Sequence, residues 1–128
     1  MIEHLDHLAM TTVDESACVQ FHVELLGMQL EHFGDGRKAL CFGSQKINLH
    51  VKGRKSESTA HAPVPGALDL CFIANRPLDQ VIAILRGKGA RIVEGPVSRT
   101  GASGPIRSIC LRDPALNLVE IAAPLACG

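Results

Sequence analysis

The sequence predicts an α+β fold built from two tandem β-α-β-β-β modules, and three observations predict it. Two amphipathic helical stripes each follow one β-prone run and precede three more. Matched residues recur at fixed spacing: His7 to Asp69 and Gly27 to Gly89 are both 62 residues, while Phe42 to Arg112 and His50 to Glu120 are both 70. The length of 128 residues suits one compact domain, with module 1 over about 3–51, a linker over 52–66 and module 2 over about 67–122.

The elements follow in order. Glu3 to Thr11 reads as a strand carrying Leu5, Leu8 and Met10. Asp14 caps a helix whose Cys18, Phe21 and Leu25 share a stripe, and Gly27 ends it in the left-handed conformation. Three β-prone runs come next, Gln29 to Phe33, Lys38 to Phe42 and Lys46 to Val51, separated by turns at Gly34-Asp35-Gly36 and Gly43-Ser44. The linker is rich in Lys, Ser, Ala and Pro. Ala67 to Ile73 restarts the pattern. Pro77 opens a helix whose Leu78, Val81, Ile82 and Leu85 form its apolar side, with Gly87 or Gly89 stopping it. Ala90 to Glu94, Ile106 to Arg112 and Asn117 to Ile121 are β-prone. Module 2 carries eight extra residues, within Val97 to Pro105, that read as a lid or specificity loop.

Composition narrows the function. Lys plus Arg (13) equal Asp plus Glu (13), so the chain lacks the basic excess of a nucleic-acid binder. Without Trp or Tyr, stacking platforms are scarce. No apolar run reaches the roughly 18–20 residues of a membrane helix, and the start lacks a secretory signal. Five cysteines, Cys18, Cys41, Cys71, Cys110 and Cys127, form no Cys-x-x-Cys pair, which argues for free thiols, four of them buried. The class that survives is a cytoplasmic protein acting on a small molecule.

Four polar residues sit where apolar ones are expected. A strand alternates its faces, so Asn48 and His50 share the side opposite Ile47, Leu49 and Val51. Glu120 and Asp69 each lie within an apolar strand, where an unpaired carboxylate costs several kcal/mol. His7 matches Asp69 on the first strands, and His50 matches Glu120 on the last. If the modules pack about a pseudo-twofold axis, the four side chains can converge on one point. Two imidazoles and two carboxylates suit one Zn, Ni, Fe, Co or Mn ion. Lys38 and Ser108 occupy equivalent third-strand positions, Cys110 shares the face of Ser108, and Arg99, Thr100 and Ser108 suit an anionic substrate.

Leu5-Asp6-His7, Arg37 to Gly43, Lys46-Ile47-Asn48-Leu49-His50, Glu94 to Gly101, and Arg112-Asp113-Pro114 leading to Asn117 to Glu120 carry a family pattern. Over about residues 4–123 the chain resembles the vicinal-oxygen-chelate superfamily of glyoxalase I, extradiol dioxygenases, fosfomycin-resistance thiol transferases and bleomycin-binding proteins. The resemblance implies an eight-stranded, curved mixed sheet forming a cup, helices outside it, and a homodimer. It implies His7, His50 and Glu120 as metal ligands, Asp69 as a possible fourth, and Glu120 as the general base. The order His, His, Asp, Glu departs from the His, Glu, His, Glu of bacterial glyoxalase I. The implied reaction is glyoxalase I-type proton transfer on a small substrate such as a thiol conjugate. The alternatives are an Fe(II) extradiol dioxygenase, disfavoured by the lack of Tyr, or a thiol transferase of antibiotic resistance.

Overall fold

A computed structural model describes residues 1–54 and 59–125. Residues 55–58 of the expected linker, and Cys127, lie outside the described residues. The chain divides into two compact units, Met1–Leu68 with Pro114–Leu116, and Asp69–Asp113 with the chain from Asn117 onward. Each carries one four-stranded mixed sheet, so the eight strands and the α+β class agree with expectation.

In the first unit, alternation along β1 (His7–Thr12) buries Met10 and Thr12 on one side. Asp14 then caps α1 (Glu15–Gln20), accepting the Ala17 N–H at 3.0 Å. The helix continues into one wider, π-helical turn over Phe21–Leu25. That turn alters the expected stripe: Cys18 and His22 are buried, whereas Phe21 and Leu25 are only half-buried. A wider turn brings the fourth residue onward into line with Cys18, and the His22 Nδ1 lies 2.8 Å from the Cys18 carbonyl.

Strands β2 (Gln29–Phe33), β3 (Arg37–Phe42) and β4 (Gln45–Val51) complete the sheet in the order β1-β4-β3-β2, with β1 parallel to β4. Helix α1 covers the face of Met10, Leu40, Ile47 and Leu49: the Cys18 Sγ lies 3.8 Å from the Met10 sulfur, and Lys38 on that face reaches Glu15 of α1. The other face presents His7, Ala9 and Thr11 beside Lys46, Asn48 and His50.

The second unit repeats the plan with β5 (Asp69–Ile73), α2 (Leu78–Gly87), β6 (Glu94–Gly101), β7 (Gly104–Arg112) and β8 (Leu118–Pro124), in the sheet order β5-β8-β7-β6. Leu78, Val81 and Leu85 of α2 are buried, and Arg107 on the face of Ile109, Leu111, Val119 and Ile121 pairs with Asp79 of α2. Asp69, Cys71, Ser108, Cys110 and Glu120 share the face away from the helix.

Two expectations fail here. Strand β6 is not Ala90 to Glu94, and the supposed lid is itself β6 and the start of β7, closed by the two-residue turn Ala102-Ser103. Val97, Ser98, Arg99 and Thr100 all pair with β7, and this ladder overrides the loop-like composition. Pro96 falls within an irregularity between Glu94 and Val97, where no ladder donor is needed. Gly95 there has φ +98°, and a Cβ on it would stand 2.5 Å from the Ser108 carbonyl oxygen. Overpacking against backbone and left-handed strain add, so Gly95→Ala is expected to destabilise the protein by about 3 kcal/mol. Chemical denaturation measures this; an unchanged midpoint would show that the close approach relaxes freely.

Candidate functional site

Strand register decides which residues correspond between the modules. Gly27 and Gly89 both have φ +78°, and His7 and Asp69 both begin a first strand, which supports the 62-residue offset. In module 2, Cys71, two residues after Asp69, stands opposite Glu120. In module 1, Ala9, two residues after His7, stands opposite Asn48. The counterpart of Glu120 is therefore Asn48, not His50. His50 lies two residues further along β4, a displacement of about 6.6 Å on the same face.

The two hairpin registers differ as well. Asn48 opposes Ala39 while Glu120 opposes Cys110, so the offsets are 71 for the third strands and 72 for the fourth, against an expected 70. Asp113 shapes the longer β7–β8 turn, its carboxylate accepting both the backbone N–H and the side-chain amide of Asn117 at 2.9 Å. A shift of one residue turns a side chain to the other face. Lys38 accordingly lies on the helix side, with its Nζ 2.5 Å from Glu15, and is not the counterpart of Ser108.

Around Glu120 the second unit assembles a polar cluster. Ser108 is fully buried and its hydroxyl donates to Glu120 Oε2 at 2.5 Å. Cys71 on β5 and Cys110 on β7 flank Glu120 on either side. Although Cys71 as a residue is exposed, partial burial of its thiol, then the Glu120 charge, push it up to about 11. Burial first, then Glu120, also raises the Cys110 thiol. Both sulfurs therefore stay protonated near neutral pH and are poor nucleophiles. Only Cys18 and Cys110 of the four described cysteines are buried, and no disulfide joins any two of them; Cys41 is half-buried, with its thiol donating to Glu31. Asp69 shares the Glu120 face, two residues along the neighbouring strand.

In the first unit, His7 Nδ1 donates to Asp6 at 2.8 Å, a bond that orients the ring and does not use Nε2. This bond is the main reason the Asp6 carboxyl sits below its ordinary range. Asn48 is 8% exposed, and its Oδ1 is buried without a hydrogen-bond partner among the described residues. A buried amide oxygen left unsatisfied is costly. Sequence reasoning placed Asn48 beside His50 but gave it no role; an amide on an apolar strand was the available signal.

Among the described residues, no three His, Cys, Asp or Glu side chains cluster as an ion would require. Within each unit, however, one pair lies on a single face with the same two-residue stagger: His7 with Asn48, and Asp69 with Glu120. Each pair by itself, an imidazole with an orphaned amide oxygen in the first unit and two carboxylates in the second, is of the donor chemistry that divalent ions take. Arg99 is on the Ser108 side but is tied to Glu94 at 2.8 Å, and Thr100 points to the opposite face. Neither is presented as a free anion contact.

Comparison with known proteins adds kinship. No family model matches the chain. It is 48% identical over 121 residues to the virulence protein STM3117 of Salmonella typhimurium, covering 94% of this chain and 84% of that one. The crystal structure of STM3117 superposes with a TM-score of 0.95 at 46% identity, covering 98% and 99% of the two chains. The glyoxalase domain-containing protein RDO1 of Mycosarcoma maydis is 48% identical over 122 residues, 95% of this chain and 69% of its own. A lactoylglutathione lyase from Agrobacterium tumefaciens shares the fold, with a TM-score of 0.74 at 19% identity over 96% of this chain and 95% of its own.

Proposed function

The chain belongs to the glyoxalase-domain family of the vicinal-oxygen-chelate superfamily, and from that premise we propose that it is a metal-dependent, glyoxalase I-type enzyme. It moves a proton between adjacent carbons of a small substrate such as a thiol conjugate, and works as a homodimer. The observation that carries this reading is Glu120: a strand carboxylate with one oxygen fixed by the hydroxyl of a buried serine.

The proposed ligands are His7, Asp69 and Glu120, with Asn48 preferred to His50 at the fourth position on the register and its orphaned oxygen. A divalent ion, when bound, polarises the two neighbouring substrate oxygens as a Lewis acid. Glu120 takes the proton from the carbon that bears the hydroxyl group and returns it to the carbonyl carbon, while the hydroxyl proton passes to the former carbonyl oxygen, so the net change is an isomerisation. Ser108 holds Oε2 and thereby fixes the orientation of the carboxylate. The protonated thiols of Cys71 and Cys110 flank this group without competing for substrate carbon.

An assay panel tests the reading: methylglyoxal with glutathione, catechols under air, and fosfomycin with thiols, each with Zn, Ni, Fe(II), Co or Mn added. Turnover of the hemithioacetal of methylglyoxal and glutathione is expected. Turnover of a catechol or of fosfomycin alone would replace the proton-transfer assignment with one of the sister reactions.

A further inference from the structure

We propose that Arg37 and Lys46, gathered on the ring of Phe33, form an oxyanion-binding site for a carboxylate, phosphate or phosphonate group. The site lies in the first unit and deepens the enzymatic reading above, on which it rests only for the identity of the eventual substrate.

Three strands supply it. Phe33 ends β2, Arg37 begins β3 directly opposite it, and Lys46 stands on β4. The Arg37 guanidinium lies 4.6 Å from the Phe33 ring centre and the Lys46 ammonium 4.1 Å from it. Both cations sit against one ring, which holds them within about 9 Å of each other. The negative face of the ring offsets part of the repulsion between the two like charges, and an oxyanion joining them would offset the rest.

Glu31 shares this strand face and Asp35 lies in the intervening turn, but no described carboxylate stands within ion-pair distance of Arg37 or Lys46. Glu31 of β2 accepts the Cys41 thiol at 2.9 Å, and Asp6 accepts His7 Nδ1 at 2.8 Å. Lys46 exerts only the weakest of the influences that lower Asp6. Among the described residues neither Arg37 nor Lys46 forms an ion pair. The other cations proposed from sequence differ in this respect, since Lys38 is paired with Glu15 and Arg99 with Glu94. Lys46 also stands directly opposite His7 in the parallel ladder. An anion held there would be offered a planar fork of N–H donors by Arg37 and a compact charge by Lys46. The Phe33 ring keeps both side chains gathered before the ligand arrives, which reduces the ordering needed on binding.

The test uses the full chain after exhaustive chelation, so that a failure of metal binding cannot mask or mimic the result. Inorganic phosphate is titrated at constant ionic strength and followed by amide chemical shifts. Saturable shifts confined to β2, β3 and β4 are expected, with Arg37→Met and Lys46→Met each weakening binding at least tenfold. Lys46→Arg should retain binding, and Arg91→Met, an exposed charge in the other unit, should leave it unchanged. Phosphate shifts that never saturate, or that survive in Arg37→Met and Lys46→Met proteins shown to be folded by circular dichroism, would overturn the proposal.

Discussion

Replacing Glu120 by Gln is expected to lower kcat about 10³-fold, the scale of a lost general base, while metal affinity falls about tenfold. The asymmetry follows from what the substitution keeps. A glutamine preserves the length of the side chain and an oxygen that can accept the Ser108 hydroxyl, so the orientation fixed by that bond survives. It also preserves one neutral oxygen donor toward a cation. What it removes is the capacity to carry a proton near neutral pH. Steady-state kinetics and a metal titration on the same preparation separate the two effects. Equal losses in both would mean that Glu120 acts only as a ligand and that another group moves the proton.

Exhaustive chelation is expected to abolish turnover and lower the melting temperature by about 10 °C, and a divalent salt should restore both. An ion that binds only the folded chain at 100 times its Kd stabilises it by about 2.7 kcal/mol, and each kcal/mol is worth several degrees in a domain of this size. The comparison of Asn48→Ala with His50→Ala sharpens this. If the register identifies the donor, Asn48→Ala reduces the thermal shift caused by metal and His50→Ala leaves it intact. The reverse order would restore His50 as the ligand. Retained turnover in metal-free protein would contradict the mechanism itself.

Much of the fold was legible in the sequence because the signals were local and repeated. Asp14 before the first helix, the glycines at 27 and 89, and the alternation in Ile47-Asn48-Leu49 each specify backbone geometry without help from distant residues. What was not legible depended on pairing. The parallel register of β1 with β4 puts Asn48, and not His50, at the position of Glu120, and the pairing of β3 with β4 turns Lys38 to the helix side. No property of Lys38 alone reveals which face it occupies; Glu15 does, once α1 lies over it. The strand at Val97–Gly101 was hidden for the same reason, since its β-structure comes from the β7 ladder and not from its own composition. The role of Ser108 likewise changed from a substrate contact to the group that holds Glu120, a bond between strands that spacing could not disclose.

Metal content is the most direct measure of the proposal that His7, Asn48, Asp69 and Glu120 include the ligands of a divalent cation. Elemental analysis of the purified protein, followed by titration of the stripped protein with Zn, Ni, Fe(II), Co and Mn, should give one tightly held ion per chain. That ion should be lost when His7, Asp69 and Glu120 are replaced together by alanine in a chain that still folds. A wild-type protein that takes up none of the five metals, or a triple variant that binds as well as the wild type, would contradict the account.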